Sequence, residues 1–397
     1  MTTLPHQPQD GALQRDTAID ALRGLAALSV LLFHARGMFW VGFVQTYRQN
    51  GLGLNFNAWL GYLSEPFSYG FLGVNLFFVL SGYCIHRRGA LMLAKNPQAT
   101  LDYGAFAARR FWRIYPTYVA ALIITALVDA WIAGRQFVPA GEQDNSVFAF
   151  IVSLLSLQGY FATYFGDNAV FWTLAIEIHF YLAYPILFHL SKIYGPRKTV
   201  LFTLALAVAY IAADKLVGIE NHLPYRAVQG PVFIPYWFTW ATGFFLAEVE
   251  AGRTKDLGEV TWKILMVCGF LIGFPQVFHD AHPELADLFW ALFFAGFLRW
   301  SLKPQGKDFW SGWLGASLAF VGVMSYSLYA IHNPMLQFFH TLVTPAFHYK
   351  FESFLPTIAA VLFVLPCAWL FFQLIEKWSI SGFGATRSLR TKEPSRG

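Results

Sequence analysis

The sequence predicts an all-α protein embedded in a lipid bilayer, a polytopic helical membrane protein with about ten transmembrane helices and both termini in the cytoplasm. Of its residues, 56% are hydrophobic and 13% are charged, and the mean hydropathy is +0.45. Apolar stretches close to the roughly 20 residues that a bilayer-crossing helix needs recur along almost the whole chain. They leave no room for a soluble domain of about 100 residues or more.

We divide the chain into a cytoplasmic N-terminal tail over 1–20, an integral membrane domain over 21–378 and a basic cytoplasmic tail over 379–397. The first tail is too polar for a cleavable signal with an apolar centre. The predicted spans lie near residues 21–41, 66–85, 115–133, 171–190, 199–217, 232–249, 260–278, 284–302, 316–340 and 354–376.

The positions of lysine and arginine orient the chain, because cytoplasmic loops hold an excess of these residues. The predicted loop 86–114 contains six of them, and further basic residues follow positions 190, 250 and 298. These loops all lie on one side of the membrane only if the apolar stretch 146–161 does not cross it. We therefore predict a re-entrant or surface-lying segment over 146–161.

The stretch RGLAALSVLLFH, residues 23–34, is apolar except for the arginine and the histidine at its ends. Eleven residues turn an α-helix three times plus about 20° and rise about 16 Å, so Arg23 and His34 share one face of the first span. Ionisable residues inside spans are functional candidates because their burial is costly. Two structural alternatives stay open: Arg23 as an anchor at the membrane surface, and His34 as a buried histidine bonded to a backbone carbonyl.

The fourth span holds Glu177 about six residues from its predicted outer end. Steps of four, four and three residues place a polar stripe on one helical face: Thr173, Glu177, Tyr181 and Tyr184. Because the first and fourth spans enter from opposite sides, we expect His34 and Glu177 to reach comparable depth and to meet. The alternative is a structural glutamate bonded to hydroxyl groups or to an arginine.

Arginines cluster at the predicted cytoplasmic surface, where planar guanidinium groups suit phosphate. Arg110 and Arg113 lie about one helical turn apart, and Arg87 and Arg88 lie across the same loop. Their alternative role is to orient the protein in the membrane.

The ninth span contains SYSLYAIHNP, residues 325–334, which puts Ser325, Tyr329 and His332 on one helical face. The Asn-Pro pair at 333–334 predicts a bend there. Simple packing is the alternative reading of this polar face.

Six segments, in this order, resemble the acyltransferase 3 family of bacterial membrane acyltransferases. They are IDALRGLAALSVLLFHA, GVNLFFVLSGYCIHRR, ARRFWRIYPTYVAAL, FWTLAIEIHFYLAYP, SYSLYAIHNP and FFQLIEKW. The resemblance extends over about residues 17–378. The chain is similar to the stand-alone members, which lack a C-terminal hydrolase-like domain.

The resemblance implies that an acyl group, most simply acetyl, leaves cytoplasmic acyl-CoA for a hydroxyl of a cell-surface carbohydrate or of a glycosylated or lipid-linked sugar. Arg23, His34 and Glu177 match family motifs. We expect His34 to act as a general base or as a covalent nucleophile, with Glu177 orienting its imidazole. The segment departs from many relatives at Ile178, where they have a second acid.

Further roles follow from the same resemblance. Arg110 and Arg113 match the RxxR motif and, with Arg23, Arg87 and Arg88, would hold the phosphates of acyl-CoA at the inner surface. Four residues are secondary candidates for acceptor binding: Tyr181, Ser325, Tyr329 and His332. No metal is expected, because the three cysteines lack metal-ligand spacing. We expect a multi-pass protein of the bacterial inner (plasma) membrane that does not bind nucleic acid, although its net charge is +5.

Two other classes of protein stay open. Buried Arg, His and Glu in a many-helix bundle also describe a proton-coupled transporter that exports a sugar or a lipid-linked intermediate. Such transporters often contain internal repeats, and none is visible in this sequence. A non-catalytic scaffold or sensor would explain the spans but gives no reason for Arg23, His34 and Glu177 in apolar surroundings.

Overall fold

The computed structural model describes residues 16–135, 144–218, 232–278, 283–346 and 348–381. Over these residues the chain is almost entirely helical, and strand-like pairing is confined to two isolated bridges, Trp40–Phe351 and Asp144–Gly166. In chain order the helices are α1 (Thr17–Phe39), α2 (Phe43–Asn50), α3 (Phe56–Leu63), α4 (Gly73–Lys95), α5 (Tyr103–Gly134), α6 (Val147–Leu154), α7 (Phe171–Tyr194), α8 (Pro196–Val217), α9 (Ile234–Glu250), α10 (Glu259–Phe278), α11 (Pro283–Leu302), α12 (Pro304–Ser311), α13 (Trp313–Val323), α14 (Ser325–Val343) and α15 (Leu355–Phe371). A 3₁₀ helix (Glu65–Leu72) precedes α4, and a π-helical turn (Phe372–Glu376) follows α15.

Seven helical stretches in the described part of the chain are long and apolar enough to cross a bilayer, or eight if the bent pair α13 and α14 forms one span. The predicted class, an all-α polytopic membrane protein, is confirmed. The predicted number of ten crossings stays a prediction, because α9 and α10, which cover two further predicted spans, are not among these stretches. The predicted tails fall mostly on residues 1–15 and 382–397, which lie outside the described residues.

The helices around the second predicted span extend beyond its predicted limits of 66–85, which stay a prediction as the limits of the membrane crossing. The segment predicted to span over 66–85 begins as a 3₁₀ helix, and the α-helix that follows runs on to Lys95. Since α5 begins at Tyr103, only residues 96–102 separate the two helices. Arginine favours helix and its long side chain reaches water from a helical backbone, so basic residues extend these helices instead of ending them. The arginines of the predicted loop 86–114 therefore lie on helices.

The predicted ninth span, 316–340, is interrupted at Met324, where α13 and α14 meet at an angle of 72°. The free N–H groups at the start of α14 need acceptors, because lipid offers none. Glu376 supplies one: its buried Oε2 accepts hydrogen bonds of 3.1 Å from the backbone N–H of Ser327 and 2.6 Å from its hydroxyl. A carboxylate from the end of the last helix thus caps the start of α14.

The Asn333-Pro334 pair, at which a bend is predicted, does not end the helix: α14 runs through Pro334 from Ser325 to Val343, and the bend itself stays a prediction. Proline cannot donate to the carbonyl four residues before it, which here is that of Ala330. The side chain of Asn168 donates to that carbonyl oxygen instead, at 3.1 Å. A neighbouring segment thus replaces the missing hydrogen bond.

The apolar stretch 146–161 forms one helix of only eight residues, α6. Such a helix rises about 12 Å, far less than the roughly 30 Å of bilayer hydrocarbon. The chain then turns at Ser156, whose φ is 59°, and the Gln158 amide donates a 2.8 Å hydrogen bond to the carbonyl of Phe171 at the start of α7. This short, returning segment favours the predicted re-entrant geometry over a crossing.

Glycines let two pairs of helices approach until their backbones touch. A Cβ atom at Gly82 of α4 would lie 1.9 Å from a backbone oxygen of α9, and one at Gly243 of α9 would lie 1.9 Å from a backbone oxygen of α4. Helices α1 and α13 meet in the same way at Gly24 and Gly322. In lipid, close van der Waals packing of this kind drives helix association.

Replacing Gly243 by alanine should lower the free energy of unfolding by about 1–3 kcal/mol, because the added methyl group overpacks the contact with α4. Gly134→Ala at the end of α5 is the matched control, since a Cβ there meets nothing within 4 Å. The measurement is thermal unfolding of the purified protein in detergent. Equal melting temperatures for the two variants would contradict the close approach of α4 and α9.

Candidate active site

Five helices enclose a cavity with an empty volume of about 800 Å³, which we call the arginine cavity. Its wall includes three guanidinium groups, Arg23 from α1 and Arg110 and Arg113 from α5. The remaining polar side chains, from α4, α7 and α14, include Ser81, Thr173, Glu177, Tyr181, Ser325 and Tyr329. The predicted polar stripe of the fourth span is therefore a cavity wall over 173–181.

Glu177 is the one acid among the described residues that line the arginine cavity. Its Oε1 accepts a hydrogen bond of 3.2 Å from the Ser81 hydroxyl and another from the Tyr181 hydroxyl. The guanidinium of Arg23 lies 3.7 Å from the carboxylate of Asp20, outside this wall. Three cations facing one carboxylate leave the wall with an excess of positive charge, which suits an anionic ligand.

One guanidinium group in this wall has unused hydrogen-bonding capacity. The Nε of Arg110 is buried and has no hydrogen-bond partner among the described residues, while the group lies 5.7 Å from the ring centre of Phe106. A buried donor left unpaired costs about 1–3 kcal/mol. A ligand with acceptor oxygens, such as a phosphate, would remove that cost.

The structure divides the five arginines predicted to hold phosphates. Arg23, Arg110 and Arg113 line the arginine cavity, whereas Arg87 and Arg88 do not. Arg87 donates two hydrogen bonds to the Glu250 carboxylate, at 3.1 and 2.9 Å, and Arg88 is exposed. Arg87 and Arg88 both lie on the part of α4 that continues past the predicted end of the span. This position places the two side chains outside the arginine cavity.

A second cavity, with an empty volume of about 850 Å³, lies beside His34, and we call it the histidine cavity. The apolar side chains of Phe33 and Met38 form part of its wall. Its polar lining residues are His34, Asp167, Gln337, His340, His348 and Lys350. Within the described parts of the chain, no group of three His, Cys, Asp or Glu side chains is arranged to hold a metal ion.

The expected meeting of His34 and Glu177 does not occur: they line different cavities. The ring of His34 instead lies against that of His332, with 5.1 Å between the ring centres. The depth estimate assumed that the fourth span begins at the membrane surface. Phe171, the first residue of α7, is fully buried and bonded to the buried Gln158, so α7 begins inside the protein and brings Glu177 level with Arg23.

Helix α14 joins the two cavities. Near its start Ser325 and Tyr329 line the arginine cavity, and the Tyr329 hydroxyl lies 2.6 Å from that of Thr173. Less than one turn later, His332 contacts His34, and Gln337 lines the histidine cavity. The predicted polar face of the ninth span is thus a path between the cavities.

Sequence reasoning missed several residues of the site. Gln337 continues the polar positions of α14 in steps of four after Tyr329 and Asn333, so its helical period was a usable signal. Asp167 gave no such signal, because it lies outside any helix. Its backbone carbonyl accepts hydrogen bonds from the amides of Asn333 and Gln337, at 2.5 and 2.7 Å.

Comparison with known families connects these cavities to a class of enzyme. A family model described as an acyltransferase domain matches residues 16–373, a range that contains every residue lining the two cavities. The chain belongs to the acyltransferase 3 family. The predicted family, and with it the prediction of an acyltransferase, is confirmed.

Individual relatives are distant. The chain is similar to the O-acetyltransferase OatA of Staphylococcus aureus, with 23% identity over 367 residues, which are 86% of this chain and 55% of the relative. It is 23% identical to the peptidoglycan O-acetyltransferase OatA of Listeria monocytogenes over 377 residues, 90% of this chain and 55% of the relative. The chain thus spans about half the length of these curated relatives. No solved structure matches it.

The pairing of the two histidines can be tested by cross-linking. In a background where Cys84, Cys268 and Cys367 are replaced by serine, the double substitution His34→Cys and His332→Cys should react with a short bifunctional thiol reagent. The pair His34→Cys and Glu177→Cys should not, because those positions line different cavities. Mass spectrometry of the digested protein detects the linked peptides. A link in the second pair and none in the first would contradict the arrangement.

Proposed function

We propose that this acyltransferase is a membrane O-acyltransferase. It moves an acyl group, most simply acetyl, from acyl-CoA to a hydroxyl of a cell-surface carbohydrate or a lipid-linked sugar. The observation that supports this most is the presence of two chemically different cavities along α1 and α14, one rich in guanidinium groups and one rich in imidazole and amide groups. A transfer between two unlike substrates needs two unlike binding sites.

Arg23, Arg110 and Arg113 would bind the phosphates of acyl-CoA in the arginine cavity. Guanidinium groups form bidentate, charge-assisted hydrogen bonds with phosphate oxygens. The buried Nε of Arg110 offers a donor that the described protein groups leave unused. Arg87, which is paired with Glu250, and the exposed Arg88 would lie outside the donor site.

His34 would act as the general base. Its imidazole takes the proton of the acceptor hydroxyl, the oxygen attacks the thioester carbonyl, the C–S bond breaks, and coenzyme A leaves as a thiolate that is then protonated. Acid–base help of this kind is typically worth about 10²–10⁴-fold in rate. The alternative route, through an acyl-His34 intermediate, has the same stoichiometry. It differs in that labelled acetyl-CoA would leave the label covalently attached to the protein.

The donor has to reach from one cavity to the other, because Arg23 and His34 are separated by a helix rise of about 16 Å. The extended pantetheine arm would cover this distance along α14, past Tyr329. Tyr181 and Ser325 line the arginine cavity, so they would contact the donor and not the acceptor. Glu177 would balance the charge of this cavity and hold Tyr181, in place of orienting His34.

The histidine cavity would receive the acceptor. Its carboxylate accepts hydrogen bonds and its amide and imidazole groups both donate and accept them, as sugar hydroxyls require, and Phe33 offers an apolar face. The two relatives are named as O-acetyltransferases, one of them for peptidoglycan. The glycan of peptidoglycan is therefore the first acceptor to test, and we propose that the protein works in the inner membrane of a bacterium.

His34→Gln should reduce acyl transfer about 10²–10⁴-fold, because the general base is lost. The assay supplies membrane vesicles with radiolabelled acetyl-CoA and peptidoglycan glycan fragments, and follows both the released thiol and the label in the glycan. His189→Gln, an exposed histidine on α7, is the matched control and should behave like the wild type. Equal activity of His34→Gln and wild type would overturn the role of His34. Movement of unlabelled glycan across the vesicle membrane without acyl transfer would favour the alternative function, a proton-coupled transporter.

Arg110→Gln should weaken the binding of coenzyme A about tenfold or more, since a hydrogen bond to a charged group is worth about 1.5–3 kcal/mol. Arg88→Gln, which removes an exposed charge outside the arginine cavity, should bind like the wild type. Equilibrium binding of labelled coenzyme A to the purified protein measures both. Equal losses in the two variants would mean that the donor binds at the surface of the bundle.

A further inference from the structure

Resting on the proposed O-acyl transfer, we infer that His332 is the partner of His34: it accepts a hydrogen bond from the His34 imidazole and stabilises the positive charge that His34 acquires. The sequence assigned this task to Glu177. The structure brings His332 to the required place instead, with 5.1 Å between the two ring centres and an angle of 45° between the ring planes.

The hydrogen bonding of His332 determines its tautomer. Its Nδ1 lies 2.8 Å from the backbone carbonyl oxygen of Tyr329. A carbonyl oxygen only accepts hydrogen bonds, so Nδ1 must carry the hydrogen. In the neutral ring Nε2 is then a bare acceptor, which is the form that a partner of His34 needs.

That acceptor is unused in the structure. His332 is only 1% exposed, and its Nε2 has no hydrogen-bond partner among the described residues. A buried polar atom without a partner is costly, and such atoms are rare in proteins. A catalytic role, in which the atom gains a partner during the reaction, explains why this one is kept. An imidazolium at His34, whose ring already contacts His332, would donate to this atom.

Neither Glu177 nor His340 suits this task. The carboxylate of Glu177 belongs to the arginine cavity and is bonded to Ser81 and Tyr181. Both ring nitrogens of His340 have partners, at 2.9 Å on the Tyr349 carbonyl and 3.1 Å on the Thr344 hydroxyl. Asp167 lines the histidine cavity with His34, and its carboxylate is the rival that the experiment has to separate from His332.

The helical turn that bears His332 is held on both sides. Before it, the hydroxyl of Tyr329 is paired with that of Thr173 at 2.6 Å, and the Ala330 carbonyl accepts from Asn168. After it, the amides of Asn333 and Gln337 both donate to the Asp167 carbonyl. A partner that orients a catalytic imidazole has to be rigid, and these bonds supply that rigidity.

One nitrogen of His34 takes the proton of the acceptor hydroxyl while the new C–O bond forms and the thioester C–S bond breaks. The other nitrogen, which carries a hydrogen, donates to Nε2 of His332. Both rings together hold one extra proton, which passes to the leaving thiolate to give the thiol of coenzyme A. This is the task that a carboxylate performs for histidine in a catalytic triad.

The decisive variant is His332→Asn. Asparagine carries an amide at the position of Nδ1, so it keeps the donor to the Tyr329 carbonyl, but it has no atom at the position of Nε2. We expect kcat for acetyl transfer from acetyl-CoA to peptidoglycan glycan fragments to fall about 10²-fold or more. The KM for acetyl-CoA and the melting temperature should stay near those of the wild type. Imidazole added to the His332→Gly variant should restore part of the activity.

Controls separate the possible outcomes. His189→Asn, at an exposed position on α7, should retain full activity. Full activity of His332→Asn would overturn the inference, and so would a loss in Asp167→Asn that matched the loss in His34→Gln while His332→Asn stayed active. A drop in melting temperature of His332→Asn, with no rescue of His332→Gly by imidazole, would assign His332 to packing. Absence of acyl transfer in the wild type itself would refute the proposed function, a result distinct from all of these.

Discussion

Helix α14 contains a sharp break at its start and a proline in its middle, and both leave backbone groups without partners inside the membrane domain. Lipid cannot satisfy such groups, so other parts of the chain must. Glu376 caps the first turn through Ser327, and Asn168 donates to the carbonyl that Pro334 leaves free. These two distant side chains position the helix on which Tyr329 and His332 lie. The geometry of both cavities follows from this support.

The charge distribution obeys a related constraint. Three guanidinium groups in the interior of a membrane domain are tolerable only with nearby acids and a cavity that excludes lipid. Glu177 and Asp20 supply negative charge near Arg23, and the rest of the arginine cavity stays positive. The histidine cavity lies about 16 Å of helix rise away from Arg23. In the proposed reaction, this separation would keep the phosphates of the donor away from the imidazole pair, while α1 and α14 connect the two cavities.

Much of the architecture could be predicted from local sequence. Long apolar runs identify helices because lipid admits little else, and the interval between Arg23 and His34 puts both on one face of α1, toward α14. The polar faces of α7 and α14 could likewise be predicted from the helical period of their polar residues. Helix ends could not: α4 continues through Arg87 and Arg88, and Met324 interrupts a run that reads as one span. Basic side chains favour helix, and the break depends on a carboxylate some fifty residues away, Glu376.

Which residues of different helices contact one another could not be predicted from the sequence. Glu177 and His34 were expected to meet on the assumption that each helix starts at a membrane surface, but α7 starts at the buried Phe171, against Gln158. The sequence by itself determined the helical class, the family motifs and which faces of α1, α7 and α14 are polar, because these depend on hydropathy and on the 3.6-residue period alone. Only the tertiary structure decided that His34 contacts His332 and that Glu177 joins the arginines, because helix depth depends on how distant segments satisfy one another's backbone groups.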